Sequence, residues 1–253
     1  MEKADNKYKK YKSLSKLEAT LLNAVETHLI FSLTTIRRLT RWKTTKISNV
    51  LTSLKQKGGI VAMKKNAYGL ASNIPEHVLS VATIITYPSY ISFWTACSYY
   101  GFTEQQAQII QVVSTKQYPQ LKIGLYKIEI ISVKPAKWFG YTKINKMNIA
   151  EPEKLLVECL YKPEKVGGID ELRKILKNAW PKINQTILQR YVKQYHVKAL
   201  FARLGFLLED LNLKNDLEKS LLRGLPKGYT KLNPAKKAVA VYSQKWRVMI
   251  NDQ

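Results

Sequence analysis

Acidic side chains are scarce in this sequence. Against 42 Lys and Arg, its 253 residues hold 18 Asp and Glu, a formal net charge of +24. Such an imbalance excludes a self-neutralised surface and requires an anionic partner or a large counterion atmosphere, nucleic acid being the commonest partner and a membrane surface the rival on charge alone. Long apolar runs are missing too. No stretch approaches the roughly 18 residues that span a bilayer, and the Lys-rich opening from Met1 to Lys12 is too polar for a secretory signal. The expected location is the cytoplasm, at the nucleoid, with no membrane association. Cysteine is reduced to Cys97 and Cys159, each in an apolar, helical-looking stretch, which reads as two buried free thiols rather than a disulfide. His28, His77 and His196 are scattered without metal-ligand spacing, so neither a metal nor another cofactor is expected. Hydrophobic residues, at 45%, are plentiful and exclude disorder, and 253 residues are enough for two compact domains or for one large one with a well-filled core.

The shortage of acid is concentrated in one place. Residues 1–75 carry 15 basic and 4 acidic side chains, whereas the remaining 178 carry 27 and 14. Between Thr27 and Pro75 no Asp or Glu occurs in 49 positions, while Arg37, Arg38, Arg41, Lys43, Lys46, Lys55, Lys57, Lys64 and Lys65 all fall there. An ordinary solvated face mixes both signs. Here the cations repel one another without compensation unless a polyanion lies against them.

The pattern of that segment fits the same partner. Ser15 is placed to cap a helix with Leu17, Leu21, Leu22, Val25 and Leu29 at helical spacing. A short second helix begins near Ser32, with Leu33, Ile36 and Leu39 inward and Arg37, Arg38 and Arg41 outward. A third runs to about Lys57 with Ile47, Val50, Leu51 and Leu54 on one face; its other face holds Lys43, Thr45, Lys46, Ser48, Asn49, Thr52 and Ser53, preceded by Thr44. Gly58-Gly59 ends it, and Ile60 to Leu70 reads as a hairpin with a cationic turn at Lys64, Lys65 and Asn66, followed by Tyr68. Three helices and a basic hairpin are the order of a winged helix-turn-helix, in which the third helix enters the major groove, Lys donates to guanine and Asn pairs with adenine. The expected double-stranded-DNA contacts are therefore Arg37, Arg38, Arg41, Lys43, Thr44, Thr45, Lys46, Ser48, Asn49 and Thr52, with Lys64, Lys65, Asn66 and Tyr68 from the wing. Lys7, Lys9, Lys10 and Lys12, beside Tyr8 and Tyr11, form a basic arm ahead of the first helix, read as a solubilising arm or an added phosphate contact.

Ser72 to Glu76 reads as a short linker, which divides the chain into residues 1–75 and 76–253. The second domain is expected to be mixed α/β, with a small sheet and a helical C-terminal half, so that the whole chain is α+β. Its expected elements are a helix from Ser89 to Tyr100, strands at Ile109–Val113, Leu121–Val133 and Trp138–Tyr141, and a helix from Glu153 to Tyr161 that Pro163 stops. Helical patterns follow at Ile169–Ala179, Thr186–Tyr195, Val197–Leu208 and Lys214–Leu222, and a last strand, Lys245–Ile250, is expected to return to the sheet.

Within this domain stand Pro88-Ser89-Tyr90-Ile91-Ser92 continuing through Trp94 to Tyr99-Tyr100-Gly101, then Phe139-Gly140-Tyr141, Ala150-Glu151-Pro152-Glu153-Lys154 through Leu160-Tyr161, and Gly167-Gly168-Ile169. Arg203-Leu204-Gly205-Phe206-Leu207-Leu208-Glu209 and Lys245-Trp246-Arg247-Val248 complete the set. In this order and spacing they resemble the AbiEi-type antitoxins, also described as predicted transcriptional regulators of viral defence systems. The resemblance implies a winged-helix N-terminal domain that represses its own operon at its promoter. It also implies a C-terminal domain that counteracts a nucleotidyltransferase-like toxin encoded alongside, functionally rather than through a stable complex.

No catalytic constellation competes strongly with that reading. Glu151, Glu153 and Lys154 could be read as a nuclease pair with its lysine, but Pro152 puts them at a helix start, where acids favour the positive end of the dipole. Gly167-Gly168 lacks the Lys-Ser of a phosphate loop and reads as a tight turn. Arg203, among Leu200, Phe201, Leu204 and Leu207, reads as an exposed arginine covering a core with its stem. No enzyme activity is expected, and a general architectural DNA binder or a defence nuclease stands as the alternative.

Overall fold

The computed structural model describes residues 14–105, 109–238 and 240–252. Lys7 to Lys12 of the basic arm lie outside them. The described chain is a mixed α+β fold in two compact units, one holding the residues up to Tyr87 with Tyr118–Glu129, the other Pro88–Gln117 and Ile130 onward.

The first unit begins with α1 (Lys16–Ala24), α2 (Leu33–Thr40) and α3 (Thr44–Gln56), followed by an antiparallel hairpin of β1 (Ile60–Lys64) and β2 (Ala67–Leu70). Ser15 and Glu18 form a reciprocal capping box at the start of α1, each side chain accepting from the other's backbone N–H. The three helices bury one stripe each. Leu21, Leu22, Val25, Ile36, Ile47, Val50, Leu51 and Leu54 meet Phe31, Ile60 and Leu70 in a single core. A bridge between Phe31 and Tyr68 adds a third short strand segment to the hairpin. Two expected inward residues differ: Leu39 is exposed, and Leu29 lies beyond α1, which ends at a Val25 cap. At eight residues, α2 has room for one buried position, Ile36.

Pro75, the expected boundary, stands in the first turn of a fourth helix, α4 (Ile74–Ile85), and α4 belongs to the first unit. The stretch that reads as a linker is a helix start, because Pro is compatible with a first turn whose N–H groups have no intrahelical acceptor.

In the second unit β3 (Ser89–Ile91) precedes α5 (Phe93–Tyr99), where one continuous helix is expected from sequence. Bulky residues on all sides suit a buried strand as well as a buried helix. Pairing decides the matter: Tyr90 lies opposite Val113 of β4 (Ile109–Ser114), and Phe93 turns the chain with a φ of 50°. The expected strand Leu121–Val133 is a hairpin, β5 (Leu121–Ile123) and β6 (Tyr126–Ser132), broken where Gly124 adopts a left-handed φ of 59°. Its turn belongs to the first unit, and the end of β6, from Ile130, to the second.

β7 (Tyr141–Ile144) and β8 (Met147–Ala150) form another hairpin, so the expected strand at Trp138 starts only at Tyr141. In the second unit β3 is flanked by β4, antiparallel, and by β8, parallel, with β6 and β7 outside them. The helices α6 (Pro152–Tyr161), α7 (Ile169–Ala179), α8 (Gln185–Gln194), α9 (Lys198–Asp210) and α10 (Glu218–Arg223) follow closely the predicted segments, α10 being shorter. The C-terminal strand does not return to the main sheet. β9 (Thr230–Lys231), β10 (Tyr242–Ser243) and β11 (Val248–Met249) form a separate three-stranded sheet in the order β10-β11-β9.

Candidate nucleic-acid interface

The cationic face of the first unit is set by α2 and α3. With Ile47, Val50, Leu51 and Leu54 turned into the core, helical spacing leaves Thr45, Lys46, Ser48, Asn49 and Thr52 on the opposite side, and all five are exposed. Thr44, Lys43, Arg37, Arg38 and Arg41 are exposed as well. Ser32 caps α2 by accepting from Thr35 N–H, whereas the N-cap of α3, Lys43, makes no side-chain cap. The first N–H groups of α3 therefore have no cap from Lys43, and Lys43 and Lys46 flank them in sequence, a combination that favours an anion.

Two of these side chains have their positions constrained. Lys46 Nζ stands 4.5 Å from the Trp42 ring centroid, one turn earlier. Thr52 Oγ1 donates to Ser48 O at 2.9 Å, which turns its hydroxyl toward the helix's own backbone. Trp42 is absent from the sequence-based set; its i,i+4 spacing to Lys46 was the available signal.

The hairpin residues divide. Lys65 is exposed at the turn, but Lys64 Nζ donates to Ile85 O at 3.0 Å and Asn66 Oδ1 accepts from Leu33 N–H at 2.8 Å. Tyr68 is half-buried, stacked on Phe31 at 6.2 Å. Structure gives these three residues work in holding the hairpin to α2 and α4.

The acid that contacts α3, Glu18, is buried and turned inward. Glu18, 3% exposed, accepts from Ser53 Oγ at 2.6 Å and from Lys57 Nζ at 2.8 Å, clasping the C-terminal turn of α3 to α1. Burial opposes its charge, yet hydrogen bonds from Lys57, Ser53 and Ser15 outweigh burial and hold its carboxyl down at about 2. The lysine it neutralises is on the turn away from Lys46 and Asn49.

The second unit treats charge in the opposite way. Lys154 and Glu158, one turn apart on α6, are both fully buried and 2.9 Å apart. Tyr90 OH and Ser92 Oγ donate to the same carboxylate at 2.6 and 2.5 Å. The Lys154 ammonium also sits 4.6 Å from the Phe139 ring centroid and 4.5 Å from that of Tyr195. Burial pushes the Lys154 amine down and Glu158 opposes the shift. Gly140 closes the group: with a φ of 66°, and with Lys154 Cβ 2.9 Å from where a side chain would begin, only glycine fits. Tyr90 and Ser92 thus reach a carboxylate 68 and 66 residues further along the chain.

Glu153 accepts from Asn184 N–H at 2.6 Å and Glu151 accepts from Tyr191 OH, so both acids of the nuclease alternative have protein donors on their carboxylates. Among the described residues no group of three or more His, Cys, Asp or Glu could hold a metal ion. Arg203 corrects an expectation: it is 6% exposed, its guanidinium donating to Leu160 O and Lys231 O and pulled down to about 10 by burial. Cys97 and Cys159 are free and buried, as expected, and lie in contact with sulfurs 3.9 Å apart.

Residues 90–210, from β3 to the end of α9, match the family model of the AbiEi antitoxin C-terminal domain. Over these residues the chain is similar to the AbiEi antitoxins. Its buried centre, Tyr90, Ser92, Phe139, Gly140, Lys154 and Glu158, lies wholly within that match. An AbiEi domain supports a role in a toxin–antitoxin pair. None of the curated proteins matches the chain. Among solved structures, the crystal structure of the RV2827C protein from Mycobacterium tuberculosis is similar in fold, with a TM-score of 0.69 at 12% identity over 94% of this chain and 92% of that one. No helix among the described residues is long and apolar enough to cross a membrane.

Proposed function

We propose that this protein is a DNA-binding antitoxin that represses its own operon. In this reading the three helices and hairpin of the first unit are a winged helix-turn-helix, and α3 is its recognition helix in the major groove of promoter DNA. Lys46 and Asn49 read base edges; Arg37, Arg38, Arg41, Lys43 and Lys65 meet phosphates; Thr44, Thr45, Ser48 and Thr52 are short enough to let the helix approach. Lys64, Asn66 and Tyr68 keep the wing in place. The AbiEi domain, on the same chain, counteracts a nucleotidyltransferase-like toxin encoded next to it, without a lasting complex.

The observation that carries this reading is the exposed face of α2 and α3, where every charged side chain is cationic and the acid that contacts α3, Glu18, is turned into the interior. An electrophoretic mobility shift with the DNA upstream of its gene is the test. The reading expects binding at that DNA to outlast competition by random duplex. Equal competition by both would make the protein a general DNA binder and remove the repressor. Co-expression with the neighbouring gene tests the second half: growth should be restored by the full chain.

A further inference from the structure

The first unit contains a second hairpin to which the proposed function gives no task. Gly124 and Leu125 connect β5 to β6, with Ile123 opposite Tyr126 across the turn. Leu121, Ile123 and Ile128 are buried on one side, and β5 packs against β1 and α4, which fixes the seat of the hairpin. Lys122 and Lys127 face each other directly on the other side, and both are exposed. Like charges in opposed cross-strand positions destabilise a hairpin. At the tip Leu125 is 98% exposed. The surrounding sequence repeats the signature of the recognition segment: from Gln105 to Ile128 there are 24 residues without Asp or Glu, with Lys116, Lys122 and Lys127 among them.

We infer that this hairpin is a second wing, which places Leu125 in a minor groove of the bound duplex with Lys122 and Lys127 on the phosphates that border it. The inference rests on the DNA-binding reading of the first unit. An apolar wedge flanked by cations is the composition that minor-groove binders insert between base steps. A single leucine offers too little apolar area for a stable protein interface or for a lasting hold on a bilayer. Position agrees with duplex DNA as the occupant. A side chain begun at Gly124 would lie 3.9 Å from Val61, so the tip stands beside the strand that leaves α3.

The experiment uses the full chain and a duplex of the DNA upstream of its gene, followed by hydroxyl-radical footprinting and by affinity measured against salt. Wild type should protect a minor-groove segment beyond the footprint of α3. Leu125→Ala should lose that protection and weaken binding about tenfold, while Lys122→Gln with Lys127→Gln should reduce the salt slope by about two. All three residues are exposed, so no variant should melt below wild type, and the double Gln variant, relieved of its opposed charges, should melt at or above it. Unchanged footprints and affinities in these variants, alongside weakened binding by Lys46→Ala with Asn49→Ala, would overturn the second wing and leave the recognition helix standing. Loss of neither would remove both. Binding to phosphatidylserine vesicles that Leu125→Ala abolishes, with duplex binding intact, would assign the tip to a membrane surface and also overturn the inference.

Discussion

The two units use charge in opposite ways. In the first, cations stand exposed on α2 and α3 with no acid among them; in the second, Lys154 and Glu158 are fully buried, paired, and ringed by Tyr90, Ser92, Phe139 and Tyr195. The contrast separates two jobs that composition alone cannot distinguish. A buried ion pair whose carboxylate also accepts from Tyr90 and Ser92 ties β3 and the residue after it to α6, whereas a cationic face with no acid on it is stable only at the cost of mutual repulsion, which an external anion relieves.

The largest effect is expected at the buried centre. Glu158→Ala strands a buried ammonium and should cost about 3–5 kcal/mol in urea unfolding, whereas Lys154→Met with Glu158→Leu should recover the part due to the ammonium but not the acceptor that Tyr90 OH and Ser92 Oγ lose. If the single and double variants lose the same stability, the stranded ammonium is not the source of the loss.

Glu18 provides the intermediate case, an acid in the basic unit. Its folded carboxyl is held below the ordinary value of 4.5, at about 2, so its contribution is present above pH 4.5 and is lost as the pH falls toward 2. The difference corresponds to on the order of 2–3 kcal/mol. Glu18→Gln should lower stability at pH 7 by a similar amount and flatten the acid limb of the profile; a parallel acid limb in the variant would show that other carboxylates control it.

On the exposed face the balance reverses. Lys46→Ala with Asn49→Ala should leave stability within about 0.5 kcal/mol and yet remove roughly 1–3 kcal/mol of preference for upstream DNA. Lys65→Ala should do least, lowering the salt slope by about one without changing sequence preference. A loss of preference from Lys65→Ala, or a loss of folding from the α3 variants, would break the distinction between the units.

Much of this was readable from the residues because the signals are local. Ser15 and Glu18 mark the start of α1, the stripe Ile47, Val50, Leu51 and Leu54 orients α3, and Pro152 and Pro163 bracket α6. The failures have a common cause: pairing at a distance decides what local pattern leaves open. β3 looks helical until Val113 lies beside Tyr90, the long strand looks continuous until Gly124 turns it, and α4 looks like a linker until its buried face joins the first unit. Arg203 reads as a surface residue because the two carbonyls that receive it, Leu160 and Lys231, lie 43 and 28 residues away. The cationic face was legible residue by residue, but not the diversion of Lys64, Asn66 and Tyr68 to the fold.

One measurement tests the central claim most directly: fluorescence anisotropy of the full chain on upstream and scrambled duplexes across a salt series, for wild type and for Lys46→Ala with Asn49→Ala. The account predicts that wild type prefers the upstream duplex at every salt concentration and that the variant keeps its salt dependence while binding both duplexes alike. A wild type that binds the two equally, or a variant that retains the preference, would contradict it.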